Sequence, residues 1–506
     1  SRCSWLGRLL CRMGRGLVTK ALNDLGRLDD WGGVRACVAG MGVSGFAAAD
    51  NLTHMGAQVI ALDDSNSSDR QEKAELLRML GAEIHLGQGA TDLLPEGIDV
   101  LITSPGWSPE APLLAQAKQR GVPIWGEVEL AWRLRHPDHA APWLAITGTN
   151  GKTTTVQMLE QILLSAGLRA VACGNVGLPI VEAVMDPEPW DVLAVELSSF
   201  QLHYTDSMRA ESAVVLNIAE DHLDWYDDMG AYIADKGRIY KGIERACVYN
   251  VSDPLTEQLV READVVEGAR AIGFTLGTPS VGMVGLVENV LADRAFIEER
   301  QTTAAEICTL EELASQAPHF VANALAAAAL ALSHGVPHAA VKHALTRFQP
   351  DGHRIELVAR VGEVDFVDDS KATNPHAATA SLNAYESVVW IAGGLAKGAR
   401  FDDLVLSVRD RLRGVVLIGR DANVIQEALA RHAPDMQVMM VLAGDTEDTE
   451  DSEVMDTVVR VAAEMAQPGD TVLLAPGCAS MDMFTNYSAR GDAFAQAVHR
   501  WRQTGD

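Results

Sequence analysis

The stretch AITGTNGKTTTV, residues 145–156, runs from an apolar strand into a glycine-rich turn and then into a lysine and three threonines. That order makes a phosphate loop. Backbone N–H groups of Gly148, Thr149, Asn150 and Gly151 cradle the oxygens, Lys152 reaches the β/γ region, the Thr153 hydroxyl can ligate Mg²⁺, and Thr154 continues the helix start. The spacing is shorter than the full G-x-x-x-x-G-K-[ST] pattern, because Ile146 stands where the first glycine belongs. Gly-Lys-Thr directly after a strand is still a specific signal for the phosphates of a nucleotide.

Working outward, the 506 residues are enough for several domains and carry a net charge of -28. Such acidity argues against nucleic acid, where affinity comes from cationic side chains meeting phosphates. Anions must then be held at local sites of backbone N–H groups, lysines and metal ions. Seven cysteines at 3, 11, 37, 173, 247, 308 and 478 form no C-x-x-C pair, which fits reduced usage in the cytoplasm and not a disulfide framework. The opening SRCSWLGRLLCRMGRG is basic and its apolar content is broken. It reads as neither a signal peptide nor a span, and no later run reaches the ~18 apolar residues of a membrane helix. Residues 1–29 are expected to be an N-terminal extension, with 1–17 disordered.

From about Asp30 short β-branched runs alternate with Ala/Leu-rich helical stretches, the βαβ signature of parallel sheets. The expected domains are 30–138, 139–348 and 349–506. In the first, VRACVAGMGVSGFAAADNL carries Gly40-Met-Gly42-Val43-Ser44-Gly45 after a strand, and Asp63-Asp64 follow the next strand. This is dinucleotide-fold spacing: a tight turn, a helix N-terminus for a pyrophosphate, a carboxylate for ribose or base. The motif does not say which pyrophosphate. In the third, VVWIAGG, GVVLIGR and DTVLLAPG are strands, and the acidic run 444–456 reads as a solvated loop or helix start.

Beyond the phosphate loop, DVLAVELSSFQL ends a strand at Glu196, where a carboxylate can meet a nucleotide's metal. AVVLNIAEDHLDWY brings Asn217 and His222, and AYIADKGRIY is a helix carrying Lys236. GTNGKTTT, GNVGLP, ELSSFQL, NIAEDHLDWY and ADKGRIY occur here in the order in which they occur in the Mur ligases, which this chain resembles over about 30–500. The shortened phosphate loop is that family's own form. The resemblance implies an α/β fold of three domains: an N-terminal Rossmann-like UDP-binding domain, a central P-loop ATPase domain and a C-terminal Rossmann-like amino-acid-binding domain. It also implies an ATP-dependent acid–amino-acid ligase of the bacterial cytoplasm, active as a monomer in peptidoglycan precursor synthesis and so in cell shape and division. DSKATNP, residues 369–375, is similar to the version in the branch that adds D-glutamate to UDP-N-acetylmuramoyl-L-alanine.

On that resemblance each site residue gains a role. Lys152, His222 and Lys236 are catalytic. ATP is held by residues 148–154 with Asn323, Arg354 and Asp369. Two Mg²⁺ ions are held by Thr153, Glu196, His222 and Lys236, the lysine being carbamylated. The UDP-substrate is held by Gly42, Val43, Ser44, Gly45, Asp63, Ser104, Pro105, Gly106, Asn175, Ser198 and Gln201. D-glutamate is held by Lys371, Thr373, Lys397, Ser480 and Tyr487. Three positions depart from the family pattern. Ser65 stands where related enzymes often have an arginine, Phe320 stands where an amide is usual and offers a ring to adenine, and Leu395 replaces an acid after Gly393-Gly394. Rival readings are a folylpolyglutamate synthase-like ligase or another Mur branch, an NAD-dependent oxidoreductase using the first glycine turn, and a non-catalytic nucleotide-binding scaffold.

Overall fold

The computed structural model describes residues 20–222, 225–226, 228–350, 352, 355–441 and 451–504. The expected disordered segment 1–17, His353, Arg354 and residues 444–450 of the acidic run lie outside them. The chain forms two compact units: one from residues up to 218 with 232–316 and 320–348, the other from 219–231, 317–319 and 349 onward.

The first unit holds two sheets. Strands β1 (Arg35–Ala39), β2 (Gln58–Asp63), β3 (Glu83–Leu86), β4 (Val100–Thr103) and β5 (Ile124–Gly126) form a parallel sheet in the order β3-β2-β1-β4-β5. The second sheet comprises β6 (Trp143–Thr147), β7 (Ala170–Gly174), β8 (Val192–Glu196), β9 (Ser212–Val215), β10 (Ala246–Asn250), β11 (Arg270–Phe274), β12 (Met283–Val287), β13 (Val290–Asp293) and β14 (Ala305–Thr309). Its order is β14-β13-β12-β11-β10-β9-β6-β8-β7. The strand that feeds the phosphate loop, β6, lies between β8 and β9 and is buried along its whole length. That burial on both faces is why WLAIT reads as a continuous apolar run and not an alternating one. One departure from the expected parallel arrangement is that β12, β13 and β14 pair antiparallel. The β12–β13 hairpin turns at Glu288-Asn289, with Glu288 at φ 57, a left-handed conformation for which glutamate gives little sequence signal.

One apolar core spans both sheets of this unit, from Trp31 and Val38 to Trp143, Val195 and Ile239. Two buried carboxylates on the helix Glu127–Arg133 tie the sheets together. Glu129 accepts the N–H groups of Asp206 and Ser207 at 2.8 and 2.9 Å. Glu127 accepts the Val181 N–H at 2.7 Å, at the start of the helix Ile180–Met185. The other Glu127 oxygen, Oε2, is buried without a hydrogen-bond partner. Burial pushes the Glu127 carboxyl up to about 8, against partial relief from the Val181 N–H. The folded state therefore binds a proton that the unfolded chain releases above its ordinary pKa of 4.5. Glu127's contribution to stability falls as pH rises from 4.5 to about 8 and is level beyond. Glu127→Gln keeps the carbonyl that caps Val181 and removes the titration. Its Tm should exceed that of the parent by a few degrees at pH 8, with the gap closing toward pH 5. A gap that is constant over this range in thermal melts refutes the assignment.

The second unit has one six-stranded sheet: β15 (Glu356–Val361), β16 (Val364–Asp368), β17 (Val388–Gly393), β18 (Leu412–Ile418), β19 (Val438–Met440) and β20 (Thr471–Leu474), ordered β15-β16-β20-β17-β18-β19. All neighbours are parallel except the β15–β16 hairpin. Apolar cores cover both faces, one around Trp390 and Phe401, the other around Phe366 and Phe494. Residues 451–456 of the acidic run open the helix Asp451–Met465.

Candidate active site

Gly151 is the N-cap of the helix Lys152–Ser165 and has φ 85. A Cβ there would stand 2.4 Å from Asn323 Oδ1, so glycine is required both by backbone conformation and by space. The same close approach brings Asn323 against the loop. Asn217 fixes the loop from the other side. Its carbonyl accepts from Thr149 N at 2.9 Å, its Oδ1 accepts from Asn150 N at 2.8 Å, and its amide donates to Asn150 O at 3.0 Å. Lys152 Nζ lies across the loop, donating to the carbonyls of Gly148 and Thr149, both at 2.9 Å. Thr153 is half-buried and Thr154 is buried. A rigid glycine turn at a helix N-terminus with a lysine over it is a site for a polyphosphate.

Beside this loop stands Lys236, only 2% exposed. Its Nζ donates to Gly148 O at 2.9 Å and lies 4.6 Å from the Tyr232 ring centre. Tyr232 is four residues earlier on the same helix face, and its hydroxyl is 3.0 Å from Thr149 Oγ1. The neighbouring Asp235 is engaged by His203 at 2.7 Å and by Arg238 at 4.0 Å. At the end of β8, Glu196 is 1% exposed. Its Oε1 accepts from Asn175 Nδ2 at 2.9 Å, while Oε2 is buried without a hydrogen-bond partner. A buried carboxylate oxygen with no donor suits a cation, and Mg²⁺ typically takes one or two carboxylates and completes its shell with phosphate oxygens and water. Among the described residues no group of three or more His, Cys, Asp and Glu stands together to hold a metal. Ser198 and Gln201 form a capping box on the helix Ser199–His203. His222 belongs to the second unit, at φ 56, with Nε2 3.6 Å from Asp221.

In the first sheet the turn after β1 has the same logic. A Cβ on Gly45 would stand 1.9 Å from Gly40 O, so the helix Val43–His54 can start this close to the strand only with glycine there. Ser104 closes the other side, donating to Gly40 O at 3.2 Å, with Pro105 and the positive-φ Gly106 following it. Asp63, at the end of β2, accepts from Met41 N at 2.7 Å and from Ser65 N at 2.8 Å. Arg70 Nε also reaches Asp63 Oδ2, at 3.1 Å. Thus an arginine from the next helix stands at Asp63, although Ser65 is not one.

In the second unit Lys371 and Thr373 follow β16, Lys397 follows β17, and Ser480 and Tyr487 follow β20. Leu395 and Ala479 exchange backbone hydrogen bonds of 2.9 Å, which draws the Lys397 and Ser480 segments together. Ser370 Oγ donates to Tyr487 O at 2.7 Å, and Lys371 Nζ lies 5.3 Å from the Tyr487 ring centre. Arg490 braces the segment from below, donating to Ser370 Oγ at 3.0 Å, Ser370 O at 2.9 Å and Cys478 O at 3.1 Å. Burial lowers the Arg490 pKa to about 10, still fully cationic near neutral pH. Acids also stand beside the Gly393-Gly394 turn, despite Leu395: Asp421 accepts from Ala396 N and Asp482 from Arg420 N, each at 2.8 Å. Asp369 accepts from Ser381 inside this unit. Phe320, in the first unit, is 3% exposed and packs 6.1 Å from Phe348.

Sequence reasoning did not single out Arg70, Tyr232 or the loop-fixing role of Asn217. Tyr232 had a signal in its i, i+4 relation to Lys236. Arg70 had none, because only the fold folds its helix back over the turn.

Two glycine turns at helix N-termini and a cationic strand-end cluster define a multidomain nucleotide-binding α/β protein. Residues 34–126 match the Mur ligase MurD-like N-terminal domain, 146–331 the Mur ligase middle domain and 353–478 the Mur ligase glutamate ligase domain. The UDP-N-acetylmuramoylalanine–D-glutamate ligase of Streptomyces avermitilis is 58% identical over 93% of this chain and 99% of its own, and that of Streptomyces coelicolor 57% identical over 93% and 98%. In fold, the UDP-N-acetylmuramate-alanine ligase of Thermotoga maritima is similar at TM-score 0.54 and 18% identity, covering 93% of this chain and 99% of that one. The chain belongs to the Mur ligase family.

Proposed function

We infer that this chain joins D-glutamate to UDP-N-acetylmuramoyl-L-alanine at the expense of ATP, giving ADP and phosphate. What carries the reading is whole-length identity of 58% to an enzyme named for this reaction. The DSKATNP segment and its cationic surroundings support it, since D-glutamate brings two carboxylates.

In the proposed mechanism the substrate carboxylate attacks the γ-phosphorus of ATP, and ADP leaves. The D-glutamate amine then attacks the acyl carbon, loses a proton, and phosphate departs. Residues 148–154 bind the polyphosphate, and Lys152 offsets charge on the transferring group. Thr153 and Glu196 would hold Mg²⁺, which neutralises phosphate charge when bound. For Lys236 we propose carbamylation, which converts a cation into an anionic oxygen donor for a second Mg²⁺, with His222 as an imidazole ligand or proton acceptor. Gly42, Val43, Ser44, Gly45 and Asp63 are proposed to hold the UDP moiety, with Ser104, Pro105, Gly106 and Asn175 lining it. Ser198 and Gln201, the capping box of the helix Ser199–His203, are proposed to contact the UDP-substrate as well. Lys371, Thr373, Lys397, Ser480 and Tyr487 are proposed for D-glutamate, and Asn323, Arg354 and Asp369 for ATP. The proposed domains remain 30–138, 139–348 and 349–506, in a monomer.

The defining assay is phosphate release that requires ATP, UDP-N-acetylmuramoyl-L-alanine and D-glutamate together. Release without D-glutamate, or with L-glutamate and a folate in place of the UDP-substrate, overturns the reading. Within it, Thr373→Ala should raise the KM for D-glutamate about tenfold or more, the loss of one hydrogen bond to a charged group. The KM for ATP should stay within twofold, which steady-state kinetics with each substrate varied will test. Movement of the ATP KM alone assigns this segment to the nucleotide.

A further inference from the structure

The glycine turn after β1 is proposed to hold a uridine diphosphate, and the present inference rests on that reading. Its backbone donors come from the start of the helix Val43–His54. The charge that a diphosphate brings has no cation within the turn itself, whose residues Gly40 to Gly45 are all uncharged. Arg70 supplies one. It lies on the helix Ser68–Met79, whose N-cap Ser67 accepts from Arg70 N at 3.4 Å. Its guanidinium is held on two sides. Nε pairs with Asp63 Oδ2 at 3.1 Å and Nη1 with Asp69 Oδ2 at 2.5 Å. Asp69 is itself shared with Lys73 at 3.0 Å, so Arg70 does not carry both carboxylates alone. Asp63 is fixed in turn by Met41 N–H and Ser65 N–H.

Held in this way, the planar fork has its third nitrogen to spare. Among the described residues Nη2 makes no hydrogen bond to a protein acceptor, and it lies 3.8 Å from where a Cβ on Gly42 would stand. It is therefore beside the turn at Gly42, and the next residue, Val43, is open to solvent. The Arg70 side chain retains 24% of its exposure, enough to be reached and little enough to be ordered. We propose that Arg70 is a diphosphate-binding residue of the UDP site, presenting Nη2 to a phosphate oxygen while Asp63 and Asp69 hold the guanidinium in place. The clamp has a physical purpose. A pre-oriented guanidinium loses little rotamer entropy on binding, and a lysine cannot reproduce it, because one ammonium cannot span both carboxylates and still reach the turn.

The test compares ligands that differ only in phosphate. Full-length parent, Arg70→Gln and Arg70→Lys are titrated with UDP, UMP and uridine by ligand-observed NMR, with thermal melts to establish folding. Arg70→Gln should weaken UDP about tenfold and leave uridine within twofold, with Arg70→Lys between the two. The difference between parent and Arg70→Gln should shrink as salt rises, as an ionic contact requires. Equal losses for UDP and uridine overturn the proposal by placing Arg70 on the base or in the fold of Asp63. Unchanged UDP binding in a folded Arg70→Gln overturns it outright while leaving the UDP site standing. A parent protein that binds neither UDP nor uridine overturns the underlying reading and this one with it.

Discussion

Lys152→Ala should all but abolish ligation, lowering kcat by about a hundredfold to a thousandfold, the scale on which removal of one well-placed electrostatic group acts. The reason is local. Lys152 Nζ rests on the Gly148 and Thr149 carbonyls, over the turn where the polyphosphate is proposed to sit. Removing it takes the positive charge from the loop and leaves the loop itself intact. Asn217 still fixes Thr149 and Asn150, and Gly151 still meets Asn323. Folding should therefore be unchanged within about 1 kcal/mol, as for a substitution outside the core. The glycine turn after β1 contains no atom of this loop, so the dissociation constant for UDP-N-acetylmuramoyl-L-alanine should change less than threefold by isothermal titration. Comparable loss of UDP-substrate binding would falsify the separation of the two nucleotide sites.

That separation was legible in the sequence because each site is local. Gly40 to Gly45 and Gly148 to Thr154 are contiguous, each follows a buried β-branched strand, and the spacing of a strand–turn–helix unit leaves few alternatives. The ends of β1, β6 and β8 fall at Ala39, Thr147 and Glu196, where the apolar runs stop. The proposed D-glutamate residues of the second unit come only from resemblance. Lys371, Lys397 and Ser480 are far apart in the chain, and what unites them is strand order β16-β20-β17 and the Leu395–Ala479 bridge. No local pattern encodes a strand order. Arg70 shows the same limit at closer range. Ser65 suggested a missing cation, yet only the turn from β2 into the helix Ser68–Met79 returns an arginine to Asp63. Phe320 shows the converse. A single aromatic letter in an apolar stretch serves a core as readily as a ligand, and here the ring packs 6.1 Å from Phe348.

Lys236→Ala should lower activity by two orders of magnitude or more, and a short carboxylic acid should restore part of it. Lys236 is buried beside the phosphate loop, on Gly148 O and over the Tyr232 ring. A helix lysine does not ordinarily bury its ammonium, because a desolvated charge needs compensation. Carbamylation starts from a neutral amine, which adds to CO₂. The new N–C bond gives R–NH–COO⁻ and releases one proton, so a donor of hydrogen bonds becomes an anionic oxygen ligand of the kind Mg²⁺ selects. Alanine removes the amine and with it the proposed carboxylate, and leaves space in their place. Acetate or propionate at tens of millimolar should enter that space and return a measurable fraction of the rate, whereas chloride at equal ionic strength should not. A second reading does not depend on activity. Intact-mass spectrometry after trapping of the carbamate as its ester should show an added mass on the parent that maps to Lys236 and is absent from the Lys236→Ala chain. Full activity in the unrescued variant, or the same trapped mass in both chains, excludes carbamylation at this position.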